Sequence, residues 1–208
     1  MDLERPLAVV TPTADGDALA VLARADRAFT AAQVRELAGR RSVEGMRLAL
    51  KRLVAQGIVT TTRVGATTAY SLNRDHLAAP SVIAMADLKR ELIERLRDRL
   101  GRWSPSCTYA ALFGSAARGD MHLSSDLDLL IVRPSLLDPD EEGWAAQVDG
   151  LRAEATRWTG NDVRVLELDE DDLSSSQVSP VLQEVRREGI RLFGSPTHLH
   201  DVLRTGTA

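Results

Sequence analysis

Residues 112–132, LFGSAARGDMHLSSDLDLLIV, decide how this chain is read. The apolar run 108–113 ends in Gly114-Ser115, followed by Ala116-Ala117-Arg118-Gly119, and this order predicts a strand that turns into a helix. Such a turn leaves backbone N–H groups free to hold anionic oxygens. Gly114 has no side chain to keep an anion off the backbone, Ser115 adds a hydroxyl, and Arg118, one helical turn on, adds a fork of charged donors. Gly-Ser before a helix is by itself only a turn. The stretch Ser125-Asp126-Leu127-Asp128-Leu129-Leu130-Ile131-Val132 gives it weight. Residues two apart on a strand share a face, so Asp126 and Asp128 pair their carboxylates while Leu127 and Leu129 enter a core. Adjacent carboxylates repel each other. They are tolerated best with a divalent cation between them, and all-oxygen ligands suit Mg²⁺ or Mn²⁺.

Gly114-Ser115, Arg118-Gly119 and Ser125-Asp126-Leu127-Asp128 together make the pattern GSxxRGx₅SDxD. On these residues the chain resembles the minimal nucleotidyltransferases of the DNA polymerase beta superfamily, over about residues 106–195. The resemblance implies a small mixed sheet with helices on one face and an open face for the active site. It also implies an NTP, ATP among them, as substrate, two divalent ions, and in-line transfer of a nucleoside monophosphate with pyrophosphate leaving. Carried over, Gly114, Ser115 and Arg118 bind phosphate, Ser125 orients the acidic pair, and Asp126 and Asp128 bind metal. The superfamily's third carboxylate comes from a later strand, here 162–168, reached after a helix over 141–158. Val163 and Val165 fit its core face, leaving Asp162 and Arg164 on the other. Arg164 stands where an acidic residue is usual, and Asp162 is one step early. Either Asp162 substitutes as the third catalytic group, or the site has two carboxylates with Arg164 near the phosphates.

Upstream, Asp15 or Asp17 is positioned to cap a helix carrying Leu19, Val21 and Leu22. Thr30 caps a second helix that Gly39 ends, and Ser42 caps a third whose Val43, Met46, Leu50 and Leu53 share a buried face. Gly57 stops it, and the β-branched stretches 58–63 and 68–72 read as a hairpin. Three helices and a hairpin resemble a winged helix-turn-helix over about residues 15–75, as in bacterial regulators. In that reading Ser42, Arg47 and Lys51 face DNA from the third helix, while Arg40, Arg41 and, on the wing, Arg63 meet phosphates.

The expected fold class is therefore α+β. It comprises a winged helix-turn-helix at 14–78, a linker helix at 81–101 and a nucleotidyltransferase domain at 105–196. In the linker, Met85, Leu88, Leu92, Ile93 and Leu96 form an apolar stripe that docks on one of the chain's own domains. A homodimer seam is the alternative, although a heptad fails at Arg95.

Composition sets the outer limits. The 208 residues suffice for two small domains, and the 44% apolar and 27% charged residues are ordinary for a globular protein. No apolar run approaches the roughly 18 residues of a membrane span. The acidic start and a lone Cys107, read as a small buried residue, suit the cytoplasm. Net charge is −4, divided as +3 over residues 1–80 and −7 over the remainder. That split is compatible with nucleic acid at one end and metal at the other. Asp169 to Asp172 read as a solvated loop, the three Trp as packing residues, and His198 and His200 as part of a polar tail. Three readings follow: a DNA-binding nucleotidyltransferase with an unknown acceptor, a transcriptional regulator whose transferase-like domain senses a nucleotide, and a toxin-antitoxin component modifying a protein or tRNA. The last rests on the resemblance alone.

Overall fold

The fold comes from a computed structural model and is described for residues 1–39, 41–174 and 179–195. The chain divides into two compact units, one comprising Asp2 and residues 4–89, the other Met1, Leu3 and the chain from Arg90.

In the first unit, a single 3-10 turn at Pro6–Val9 precedes α1 (Ala14–Ala23). Thr13, not Asp15 or Asp17, holds the N-cap position, so the expected cap is corrected. Asp15 and Asp17 lie inside the first turn, where the helix dipole favours them, and cations from elsewhere in the unit claim their carboxylates. Asp15 pairs with Arg52, which lowers its pKa, and the buried Asp17 accepts from Arg5 at 2.9 Å and Arg41 at 2.7 Å.

The short strand β1 (Phe29–Thr30) leads into α2 (Ala31–Ala38). Thr30 caps α2 as its sequence predicts, in a reciprocal capping box with Gln33. Ser42 likewise caps α3 (Val43–Ala55) by accepting from the Gly45 N–H. Met46, Leu50 and Leu53 are buried, but Val43 is 39% exposed, because the first residue of the helix stands a turn outside the core its stripe builds. Strands β2 (Val59–Val64) and β3 (Thr67–Leu72) pair antiparallel across a two-residue turn, and β1 adds to β3, giving the order β1-β3-β2.

The linker helix expected over 81–101 is two helices, α4 (Ala79–Ala86) and α5 (Leu88–Leu100), separated at Asp87. Their apolar residues serve different cores. Val82, Ile83, Met85 and Ala86 pack with α1 to α3, whereas Leu92, Leu96 and Leu100 belong to the core of the second unit. No described helix is long and apolar enough to cross a membrane.

The second unit holds a mixed sheet in the order β6-β5-β4-β7, built from β4 (Tyr109–Phe113), β5 (Leu127–Arg133), β6 (Val163–Asp169) and β7 (Ile190–Phe193). Strand β4 pairs antiparallel with both β5 and β7. β5 and β6 are parallel, which requires a crossover, and α7 (Glu142–Thr159) supplies it. Alternate residues of β5 feed two cores, so Leu127, Leu129 and Ile131 join α5 and α7, while Leu130 and Val132 join α8 (Ser179–Glu188). Helices thus cover both faces, a correction to the single covered face that the resemblance implies. The α8 face carries apolar residues on β4 and β5 that one helix suffices to bury. Its remaining end, at Asp126, Asp128 and Arg164, is the polar one.

Packing behind the sheet is anchored by Trp103 and Trp144, both buried, with ring centroids 5.3 Å apart in a T-shaped arrangement. The Trp144 indole donates to Glu167 Oε1, which also accepts from Arg133. Arg133 reaches Asp169 as well, at 3.1 Å, so part of the acidic run serves as a structural counter-charge.

Candidate active site

Strand β4 runs directly into the five-residue helix α6 (Gly114–Arg118), with no irregular residue between them. That junction needs a left-handed backbone at its first residue, and Gly114 has φ +67°. It also needs space. A Cβ built at Gly114 would lie 2.3 Å from Asp128 Oδ2, so the glycine turn and the carboxylate are in direct apposition. The antiparallel register explains this, since Phe113 is the Cα partner of Asp128.

Asp126 lies one residue before β5 and Asp128 is its second residue. Both are partly exposed while Leu127 and Leu129 are 1% exposed, the alternation expected of the motif. Burial pushes the Asp128 carboxyl above its ordinary range. The neighbouring charges of Asp126 and Glu184 act in the same direction, while those of Arg164 and Arg118 oppose it. A carboxylate in that setting is one that a cation would stabilise.

Ser125 shapes the turn ahead of the pair, because its Oγ accepts from the His122 N–H at 3.0 Å. Its carbonyl accepts from Asn161 Nδ2 at 2.9 Å, and the buried Asn161 also accepts from the Met1 amino group through Oδ1. Asn161 is a supporting residue that sequence reading missed. Nothing in its local pattern distinguishes it, and only the packing of the turn against β5 gives it a role.

Arg118 ends α6, and its guanidinium contacts Asp120 and Glu184. Glu184 comes from α8, 66 residues away, and the sequence carries no signal for that approach. Arg164 is the Cα partner of Asp128 on β6, and its Nη2 lies 2.7 Å from Asp126 Oδ2. Asp162 is exposed and its Oδ1 accepts from the adjacent Val163 N–H at 3.0 Å. Among the described residues no group of three or more His, Cys, Asp or Glu forms a cluster able to hold a metal ion. The donor set at the motif is thus two carboxylates. It fits a divalent cation held by Asp126 and Asp128, beside a turn that offers N–H groups to phosphate.

In the first unit, Arg47, Lys51 and Arg63 are exposed, with Arg47 3.9 Å from Glu44. Arg41 is turned to Asp17 and to the Pro12 carbonyl, and the Ser42 hydroxyl is engaged as the cap of α3. Arg40, His198 and His200 lie outside the described residues.

Residues 89–173 match the family model described as "Nucleotidyltransferase domain", a span that contains the whole motif. No curated protein matches the chain. Among solved structures, a toxin-antitoxin complex with AMP-PNP is 22% identical, covers 57% of this chain and 82% of its own, and gives a TM-score of 0.39. The toxin-antitoxin MntA-HepT is 20% identical over 57% of this chain and 80% of its own, with a TM-score of 0.35. A protein described as a nucleotidyltransferase from Sulfolobus solfataricus is 19% identical over 52% of this chain and 85% of its own, with a TM-score of 0.30. The matched stretch lies almost wholly in the second unit, so the nucleotidyltransferase-domain likeness belongs to that unit.

Proposed function

We propose that the chain transfers a nucleoside monophosphate from an NTP, ATP or another, to an acceptor oxygen on a protein, an RNA or a small molecule. The observation that carries this reading is the apposition of the Gly114 turn to Asp128, with Asp126 beside it and Arg118 at the end of α6. The N–H groups at the start of α6 and the Ser115 hydroxyl hold phosphate oxygens. Arg118 joins them by exchanging its contacts to Asp120 and Glu184 for the triphosphate, whose charge density is higher. Asp126 and Asp128 hold Mg²⁺ or Mn²⁺, which when bound neutralises the phosphates and stabilises the charge of the leaving pyrophosphate. The acceptor oxygen forms a bond to the α-phosphorus, the bond from that phosphorus to the bridging oxygen breaks, and pyrophosphate departs. The acceptor's proton passes to solvent or to Asp162.

A second reading is favoured by one observation. Arg164 on Asp126 puts a cation where a third carboxylate is usual, while Asp162 is exposed and Glu184, whose charge reaches Asp128, is held by Arg118, an arrangement suited to binding a nucleotide without transferring it. One experiment separates the two. Purified protein is incubated with each labelled NTP, Mg²⁺ and cell extract as acceptor source, beside an Asp126→Ala/Asp128→Ala variant. Transfer by the wild type alone supports the enzyme. Mg²⁺-dependent NTP binding with transfer no greater than that of the variant supports the sensor.

We propose further that residues 14–78 of the first unit form a winged helix-turn-helix that binds DNA. Element order supports this, as do the +3 charge of residues 1–80 and the exposed Arg47, Lys51 and Arg63. A salt-dependent shift of DNA that is lost in Arg47→Ala/Lys51→Ala is expected, and no shift at low salt would sink the proposal.

A further inference from the structure

The nucleotidyl-transfer reading ordinarily calls for two cations, yet the groups present match the charge of one. Before the triphosphate arrives, two divalent ions would bring four positive charges to a pair of carboxylates, and one of the pair is already engaged by a guanidinium. Arg164 Nη2 sits 2.7 Å from Asp126 Oδ2. Register fixes it there, since Arg164 is paired with Asp128 across parallel strands and shares its face with Asp126 and Asp128. Other carboxylates do not relieve the shortage. Asp162 turns its Oδ1 to its own neighbour's N–H, and until the triphosphate arrives Glu184 is held by Arg118. A second ion bound against Asp126 would have to displace the guanidinium or tolerate it at contact distance, and like charges so placed repel strongly.

We propose that Arg164 stands in for one of the two ions, so that the protein's own groups take a single divalent cation before the triphosphate arrives. The inference rests on the nucleotidyltransferase reading of this site. Arg164 is here a positioning residue, fixing Asp126 and contributing a charge that does not depend on metal supply. Its side chain is 70% exposed, which leaves the fork free to turn from the carboxylate toward an incoming phosphate. Guanidinium geometry suits both partners, because carboxylate and phosphate each present two oxygens to it.

The test counts cations on the full chain without nucleotide, by titrating Mn²⁺ and following the free-ion EPR signal. Binding of a fluorescent non-hydrolysable ATP analogue is measured in parallel. One Mn²⁺ per chain is expected for the wild type and for Arg164→Lys, two for Arg164→Glu, and none for Asp126→Ala/Asp128→Ala. Arg164→Gln, which adds no carboxylate, should bind its first Mn²⁺ roughly tenfold more tightly by losing a neighbouring positive charge. Glu184→Gln should leave the count at one. Two ions on the wild type, one on Arg164→Glu, or a count lowered by Glu184→Gln would each overturn the proposal. If the wild type binds the analogue but holds two Mn²⁺, only this inference fails. If it binds neither analogue nor Mn²⁺, the nucleotidyltransferase reading fails with it.

Discussion

Replacing Gly114 with alanine tests the link between the backbone turn and the metal-binding carboxylate. Two costs are expected. Holding an alanine at φ +67° costs about 1–2 kcal/mol, as a left-handed residue with a Cβ does. The new Cβ would also lie 2.3 Å from Asp128 Oδ2 and 3.2 Å from its Cγ, so the carboxylate must leave its rotamer, at about another 1 kcal/mol. The control lies in the same unit. Gly160, which ends α7, has φ +70° and nothing within 4 Å of a built Cβ, so Gly160→Ala carries only the backbone cost. Urea unfolding should therefore give a loss of roughly 2–3 kcal/mol for Gly114→Ala and roughly 1–2 kcal/mol for Gly160→Ala. Only the former should weaken Mn²⁺ binding, by more than tenfold. Introducing Gly114→Ala into an Asp128→Ala background removes the colliding group, and the cost should fall to that of the control. If Gly114→Ala is no costlier than Gly160→Ala and keeps its Mn²⁺ affinity, the proposed apposition is wrong.

Three further expectations follow from named contacts. Asp128 carries a carboxyl raised by burial, so its ionisation opposes folding, with no effect below its ordinary value of 3.8 and a full effect above the raised one. Asp128→Asn should raise Tm at pH 7 and lose that gain by pH 3, and an unchanged Tm at pH 7 contradicts the assignment. Cys107 is buried and its thiol is pushed up to about 12 by desolvation, so a thiol reagent at pH 8 should modify it only in denaturant. Rapid labelling of the folded chain would count against this. Asn161→Ala removes the buried amide that holds the Ser125 carbonyl and should cost about 1–3 kcal/mol, with weaker Mn²⁺ binding. A loss below about 0.5 kcal/mol in urea unfolding would show that the amide is dispensable.

What the sequence revealed and what it hid divide along one physical line. Thr30 and Ser42 act within three residues of themselves, so their capping roles are readable from local chemistry. The Gly114 turn and the Asp126/Asp128 alternation are also local, one set by a missing Cβ and the other by strand periodicity. The break at Asp87 was not legible, because the apolar rhythm continues through it while the core receiving it changes. Asp15 and Asp17 look like caps until Arg52, Arg5 and Arg41 arrive from elsewhere in the unit. The face of Arg164 could be predicted from its strand, but its distance to Asp126 depends on parallel register, which α7 establishes. Glu184 reaches Arg118 only because α8 covers the second face of the sheet, a placement with no marker near either residue.

Strand β6 is an edge of its sheet, and this bears on how the chain can change over generations. Most residues around the motif are locked by neighbours, as Gly114 is by Asp128 and Leu127 by the core. Among the described residues Arg164 has a paired strand on one side only, and its side chain is largely in solvent. Exchanging it for an acidic residue would disturb no apolar packing and would trade the bridge to Asp126 for a third carboxylate, which a bound cation offsets. A lineage could therefore gain or shed a metal ligand at this position by one substitution, while the fold, the glycine turn and the aspartate pair are inherited unaltered.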